Sequence, residues 1–159
     1  MAWITIERAR THCRVEPEYP SDQLQPYMEA AEDAAVRYLN RAVFPSAQEL
    51  NTALDALPAM LKAAREVYDA AVAAAAAVAD ETEKQAMLCV AKVKLDNARA
   101  SAPRILNGII LNPSILSAAL LTLGHLYANR EDSVIGASAV ELPNGAKSLL
   151  RPYRLVMMP

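Results

Sequence analysis

The stretch LDALPAMLKAAREVYDAAVAAAAAV, residues 54–78, decides the fold predicted for this chain. Its larger apolar residues and alanines recur at alternating steps of three and four, the heptad spacing of a helix that packs along one seam on a neighbouring helix. The seam consists of Leu54, Leu57, Leu61, Ala64, Tyr68, Ala71, Ala75 and Val78. A second seam with the same spacing follows at Leu88, Ala91, Leu95, Ala98 and Ala102.

The two seams do not fit one straight helix, because the 13 positions from Ala75 to Leu88 are one short of two heptads. The break falls at the polar cluster 80–83, where Thr82 and Gln85 have the spacing of a helix cap. We therefore predict an antiparallel hairpin with its tip near residue 81, whose small alanines let the two backbones approach closely. A single long, bent helix is the alternative, since no Gly or Pro occurs between residues 59 and 102.

Two further helices are predicted before this Ala-rich insertion, which spans residues 46–106. Thr5 has the chemistry to cap a first helix that ends near Cys13. A second helix begins at Ser21 or Asp22 and lasts to about Ala42, with an apolar stripe on one face and charged residues on the other. The charged face, which includes Glu29, Glu32, Asp33, Arg37 and Arg41, is expected to be exposed to solvent.

The segment after the insertion is predicted to hold one apolar helix, a loop and a short helix. Asn112-Pro113 is a cap followed by proline at the first helical position, and the helix it begins should end near Arg130-Glu131. Its apolar residues surround the whole cylinder, so we expect it in the core. A loop over residues 132–141 then precedes a short segment at residues 146–150, which Pro152 closes.

The composition supports an all-α fold. Alanine fills 32 of 159 positions, against 4 glycines and 8 aromatic residues, an inventory that favours close-packed helices over a β-sandwich. Hydrophobic residues make up 53% of the chain, enough for a core, and the length fits a single domain over 1–159. We therefore predict a small helical bundle with an inserted antiparallel hairpin and a C-terminal loop plus short helix.

Charge and compartment signals point to a protein of the cytosol that does not grip DNA. The net charge of −2 supplies no general attraction for phosphate backbones. Cys13 and Cys89 are interpreted as reduced thiols, and charged residues interrupt the first 14 positions before any secretory signal develops. The uncharged run 105–129 is broken by polar residues and a proline, so its helical part is too short for a membrane span.

Motifs for catalysis and cofactor binding are missing from the sequence. Four scattered glycines cannot form a phosphate loop or a dinucleotide fingerprint, so no nucleotide cofactor is expected. His12 and His125 are the only histidines and belong to no metal or triad motif, so we interpret both as structural and predict no metal site. Glu29, Glu32 and Asp33 are interpreted as a solvated helix surface rather than an acid–base pair. The sequence therefore predicts no enzyme.

Both ends of the chain carry a recognisable pattern. Residues 120–131 read LLTLGHLYANRE and are followed by ELP at 141–143 and LLRPYR at 149–154. The N-terminal part contains ITIERAR at 4–10, SD at 21–22, AAE at 30–32 and YLNR at 38–41. Together these segments resemble the head-tail connector family of long-tailed bacteriophages. The resemblance covers the first 44 and the last 50 residues, and the central Ala-rich insertion departs from it.

The resemblance implies a structural protein of the virion without catalytic activity. It implies a small helical adaptor that forms a twelve-fold ring beneath the portal protein after genome packaging and extends the channel toward the tail. The other implied partner is a tail-side stopper or tail terminator protein. DNA would pass through the ring without sequence-specific binding, no membrane would be involved, and the ring would lie in the neck after assembly in the host cytoplasm.

Two groups of residues are candidates for the interfaces of such a ring. Arg130 and Glu131 either make charged contacts between subunits, brace the following loop, or simply form the charged end of a helix. The second group forms an apolar terminus with one cation that docks on the portal or the adjacent subunit, or else packs on its own domain. Its members are Leu142, Pro143, Leu149, Leu150, Pro152, Tyr153 and Arg154.

Two other classes of function stay open from sequence alone. The hairpin suits a coiled-coil interaction or regulatory protein that acts as a small helical oligomer, which is the main alternative. A helical enzyme with a site assembled from scattered residues is the second. A closed ring of many copies distinguishes the connector from a regulator that stops at a dimer or tetramer.

Overall fold

A computed structural model of the chain describes residues 3–129 and 144–156. The described residues form helices with a single two-residue pair of strands, so the predicted all-α fold is confirmed. The elements are α1 (Ile6–Cys13), α2 (Ser21–Leu39), β1 (Val43–Phe44), α3 (Ala47–Ala76), α4 (Glu81–Leu106), β2 (Ile109–Ile110), α5 (Pro113–Ala128), α6 (Asn144–Leu150) and a 3-10 helix (Arg151–Tyr153). In the part of the chain that the structure describes, no helix has both the length and the apolar character needed to cross a bilayer.

The chain divides into two compact units. The first, here called the core unit, comprises the residues up to Ser46 and those from Ile109 onward. The second, here called the hairpin unit, is Ala47–Gly108. The hairpin unit corresponds closely to the insertion predicted at residues 46–106.

The ends of the three main helices of the core unit have local causes: side chains cap the starts of α1 and α5, and a left-handed residue ends α2. Thr5 caps α1, its hydroxyl accepting the Arg8 N–H at 3.3 Å, and Asn112 caps α5, its side-chain oxygen accepting the Ile115 N–H at 2.9 Å. Helix α2 ends at Leu39 because Asn40 adopts the left-handed conformation, with φ 54°. That end lies before the Ala42 predicted from sequence.

Helix α5 is the centre of the core unit, as its apolar sequence predicted. It packs against α1, α2 and α6 and has buried residues on several sides. It ends at Ala128, shortly before the end predicted near Arg130-Glu131. The largest fully buried side chains of the chain belong to this core: Leu24, Leu39, Ile115, Leu123 and Leu150.

A glycine permits the close approach of α1 to α5. A Cβ placed on Gly124 would lie 3.0 Å from Nε2 of His12, which is tighter than ordinary van der Waals contact. His12 therefore serves as a packing residue at the end of α1. His125, the other histidine, is half-buried and has its Nδ1 at 3.1 Å from the side-chain nitrogen of Asn129.

A short parallel ladder joins β1 to β2. The Ile109 N–H donates to the Ala42 carbonyl at 2.9 Å, and the Leu111 N–H donates to the Phe44 carbonyl at 2.8 Å. The sequence analysis did not predict these strands. Two residues are too few to show the alternation that identifies a strand in sequence.

The hairpin unit confirms the prediction of two antiparallel helices with a break near residue 81. Helix α3 ends at Ala76 and α4 begins at Glu81. Every residue of the two predicted seams is at least partly buried, and Leu57, Ala75, Ala91, Leu95 and Ala102 are the most buried. The alternative prediction of a single long, bent helix is therefore wrong.

The cap of α4 is Asp80 and not the predicted Thr82. The Asp80 carboxylate accepts the N–H groups of Thr82 and Glu83 at 2.7 and 3.2 Å. Both residues have the chemistry of a cap, and they lie two positions apart. Asp80 takes the role because it is the residue with extended backbone just before the helix.

The small alanines of the seam allow the two helices of the hairpin to pack closely. Substitutions at the neighbouring residues Ala74 and Ala75 can test this packing. Ala75 is 1% exposed, whereas its neighbour Ala74 faces solvent. We expect Ala75→Leu to lower the free energy of unfolding by about 1–3 kcal/mol through overpacking. Denaturant unfolding followed by circular dichroism measures the change.

Ala74→Leu is the matched control, because it adds the same side chain on the same helix outside the seam. We expect it to change stability by less than about 0.5 kcal/mol. Equal effects of the two substitutions would show that the helices are not packed along the predicted seam.

Candidate interaction surface

The C-terminal segment packs on the core unit through one face of α6. Ala146 and Leu150 are fully buried, and Leu149 and Tyr153 are partly buried against the same core. Gly145 approaches α5, where an added Cβ would lie 3.7 Å from Leu121. Leu150 thus acts as an anchor whose side chain has no exposed area to offer a partner in this structure.

Three polar contacts hold the end of this segment on the C-terminal end of α2. The Leu155 N–H donates to the Leu39 carbonyl at 2.9 Å. The Arg41 guanidinium donates to the Tyr153 carbonyl at 3.3 Å, and the Arg154 guanidinium lies over the Tyr38 ring, 5.0 Å from its centroid. The last carbonyls of a helix lack donors within the helix, so the segment satisfies one that α2 leaves open.

The outer side of the C-terminal segment is exposed and cationic. Arg151, Pro152 and Arg154 face solvent, and Val156 is 75% exposed. Residues 144–156 contain the three cations Lys147, Arg151 and Arg154 and no carboxylate. We call the exposed residues Arg151, Pro152, Arg154 and Val156 the cationic terminus.

The predicted interface residues thus fall into three groups. Pro152 and Arg154 lie at the surface, whereas Leu149, Leu150 and Tyr153 are wholly or partly used in packing on the core unit. Arg130, Glu131, Leu142 and Pro143 lie outside the described residues. Exposed Arg151 and Val156 were not among the predicted residues, although the positive charge of the segment was visible in the sequence.

Glu32 is buried, contrary to the expectation that it lies on a solvated face. It is 8% exposed, and its Oε1 accepts the N–H groups of Trp3 and Ile4 at 2.8 and 2.7 Å. Hydrogen bonds to an ionised carboxylate are stronger than those between neutral groups. The helical pattern did not reveal this role because the two donors come from the N-terminal lead, 28 and 29 residues away.

A groove lies on the face of α2 that carries Glu32. Its volume is about 470 Å³, and its lining residues are Trp3, Glu29, Glu32, Asp33, Val36, Ala42 and Val43. The lining combines four apolar residues with three acidic ones and contains no basic residue. Glu29 accepts a hydrogen bond from Gln25 at 2.9 Å, and Asp33 pairs with Arg37 at 2.6 Å. We call this feature the acidic groove.

The side chains that could bind a metal are scattered over the described residues. Among the described residues, no three His, Cys, Asp or Glu side chains are placed to hold a metal ion. Both cysteines carry free thiols, with Cys89 exposed and Cys13 half-buried. Burial raises the pKa of the Cys13 thiol above its ordinary value. At neutral pH Cys13 is therefore held in the protonated form, which is less reactive than the thiolate.

The core unit thus has two surfaces of opposite charge, the cationic terminus and the acidic groove. The family model of the phage gp6-like head-tail connector protein matches residues 3–154. The chain therefore belongs to the phage gp6-like head-tail connector family, a family of structural proteins of the phage particle and not of enzymes. This confirms the resemblance read from the two ends of the sequence.

The matched range includes the residues of the hairpin unit as well as both flanking parts of the core unit. No curated protein and no solved structure shows significant similarity to the chain.

The buried carboxylate of Glu32 should stabilise the core unit. Glu32→Ala leaves the N–H groups of Trp3 and Ile4 without their acceptor, and we expect it to lower the free energy of unfolding by about 3 kcal/mol. Glu32→Gln keeps one acceptor oxygen and should cost less than half as much. Denaturant unfolding of the purified variants measures both.

Glu29→Ala is the control for this prediction, because Glu29 lies one turn earlier on the same helix and is exposed. Its effect should stay within about 0.5 kcal/mol. The assignment of Glu32 is wrong if the two alanine variants lose the same stability.

The two thiols should differ in reactivity. Because the pKa of Cys13 is raised and its side chain is half-buried, we expect it to react with a maleimide at pH 7 at least about tenfold more slowly than Cys89. Raising the pH should accelerate the reaction of Cys13 with the maleimide, because more of its thiolate forms. Mass spectrometry of labelled peptides measures both rates, and the difference should disappear in denaturant, where burial is lost.

Proposed function

We propose that this chain assembles as a ring that connects the phage head to the tail. In this proposal twelve copies form the ring beneath the portal protein and extend the DNA channel toward the tail. The tail-side face of the ring provides the attachment surface for a stopper or tail terminator protein. The observation that carries the proposal is the family match over residues 3–154.

The cationic terminus supports a docking role for the C-terminal segment. Its residues lie at the surface although the segment itself is anchored by Leu150 and by the contacts to α2. An anchored segment loses less conformational freedom on binding than a free one, so it can dock at lower entropic cost. We propose that Pro152 and Arg154 contact the portal or an adjacent subunit, while Leu149, Leu150 and Tyr153 position them.

The remaining predicted interface residues lie within residues 130–143, which the structure does not describe. We propose that Arg130 and Glu131 make charged contacts between subunits. Leu142 and Pro143 extend the apolar part of the same docking surface. These roles rest on the family resemblance of the two sequence motifs that contain them.

The charge of the chain suits a channel through which DNA passes. With a net charge of −2, twelve copies carry no excess of cations that would hold phosphates, so DNA can slide without sequence-specific binding. We place the ring in the neck of the virion, between capsid and tail, after assembly in the host cytoplasm and without a membrane.

Mass measurement of the chain with the portal protein of its phage tests this function. We expect native mass spectrometry and negative-stain microscopy to show a closed ring of connector copies bound to the portal, because the family role requires an annular stack. A dimer or tetramer that ignores the portal would instead favour a coiled-coil regulator.

Truncation tests the docking role of the terminus. Removal of Tyr153–Pro159 should abolish ring formation or portal binding while the helical circular dichroism signal persists. Removal of Arg154–Pro159 tests the contact residue Arg154 while keeping the partly buried Tyr153, and it should weaken assembly as well. The docking role is excluded if both truncated chains remain folded and assemble as the full chain does.

A further inference from the structure

We propose that the acidic groove of one subunit receives the cationic terminus of the next subunit in the ring. This inference rests on the ring proposed above and identifies the contact that closes it. It assigns the groove an occupant, a second copy of this chain, and it assigns the terminus a subunit contact rather than a portal contact.

Charge complementarity is the first argument. The groove lining has three carboxylates and no cation; Glu29 and Asp33 are exposed, and Asp33 is paired with Arg37 outside the lining. The cationic terminus has two cations, Arg151 and Arg154, and no carboxylate. Complementary charges at the edge of an interface steer association and exclude wrong partners.

The ion pairs formed within one chain leave unneutralised charge on both the acidic groove and the cationic terminus. Glu29 is bonded only to the neutral Gln25 amide among the described residues. In the same part of the chain, no carboxylate lies within ion-pair distance of Arg151. Each surface therefore keeps charge that a second copy can neutralise.

Apolar complementarity is the second argument. The groove lining contains Trp3, Val36 and Val43; Val36 offers the most area because it is only half-buried, whereas Trp3 and Val43 are each 7% exposed. The terminus presents Pro152 and Val156, and the 75% exposure of Val156 leaves most of that side chain for a partner to cover. Burial of apolar area supplies affinity, which the surrounding charges alone would not.

The placement of the two surfaces is the third argument, because they lie on opposite sides of α2. Glu29, Asp33 and Val36 are spaced at four and three residues, so they share one face of the helix. Tyr38, on which Arg154 stacks, follows Val36 by two residues, and two residues turn a helix by about 200°. One chain therefore cannot readily fill its own groove with its own terminus.

This placement has the geometry that a ring needs. A contact between two different surfaces of the same chain is heterologous, and copies joined head to tail by such a contact form a ring when the rotation closes. A two-fold dimer would instead pair a surface with itself.

Charge reversal tests the contact. The groove variant is Glu29→Lys with Asp33→Lys, which leaves the buried Glu32 in place, and the terminus variant is Arg151→Glu with Arg154→Glu. We expect each variant alone to form at least about tenfold fewer rings on the portal than the unmodified chain, because like charges then meet at every contact. Native mass spectrometry counts the assembled copies, and circular dichroism verifies that each variant is folded.

Complementation makes the test specific. In an equal mixture of the two variants, each contact between unlike subunits again joins opposite charges, so rings with alternating subunits should form. A twelve-fold ring allows strict alternation because its number of subunits is even. A single chain that carries all four substitutions should also recover assembly.

Matched controls place the same charge changes on the hairpin unit. Lys92→Glu with Lys94→Glu corresponds to the terminus variant, and Asp55→Lys with Glu66→Lys corresponds to the groove variant; all four residues are exposed. Both controls should assemble normally. Loss of rings in the controls would attribute the effect to net charge and overturn the proposal.

The outcomes separate this inference from the function on which it rests. If the unmodified chain forms no ring with the portal, the proposed function fails. If that ring forms but the groove variant assembles normally, the groove is not the contact. If only the terminus variant fails and the mixture does not recover, the terminus binds the portal. Either of the last two results overturns the inference and leaves the connector function standing.

Discussion

The core unit depends on the burial of α5. This helix is apolar on nearly all sides, so it is stable only when α1, α2 and α6 cover it. Each covering helix brings a fully buried residue to this core. Ala9 comes from α1, Leu24 and Leu39 come from α2, and Leu150 comes from α6. Because the C-terminal helix is one of these covers, the cationic terminus is built directly on the core.

Patterns within one element were predictable from the sequence. Heptad spacing identified both seams of the hairpin unit, and Thr5 and Asn112 were recognised as caps, because these signals involve only residues close in the chain. Roles that join distant parts were missed. Glu32 looked like a surface residue because its partners are amides of Trp3 and Ile4, and the ladder of β1 with β2 joins segments separated by the whole hairpin unit.

The interaction surface was only partly predictable for the same reason. The motif at 149–154 marked this segment as a candidate, but it did not show which of its residues are buried and which are exposed. Leu150 and Pro152 both looked like docking residues, and only the packing on α5 and α2 shows that one is an anchor and the other is exposed. The acidic groove had no sequence signal, because its lining comes from the N-terminal lead, α2 and the start of β1.

The contacts between residues 153–155 and the end of α2 have a mechanical consequence. A force applied to residues 153–155 is transmitted to the end of α2 through three contacts. These are the hydrogen bond of the Leu155 N–H, the hydrogen bond to the Tyr153 carbonyl and the stacking of Arg154 on Tyr38. These contacts are few and lie at the surface, whereas the anchor behind them is fully buried. Under tension residues 153–155 would therefore detach from α2 before the buried core yields, so a load applied there is relieved locally.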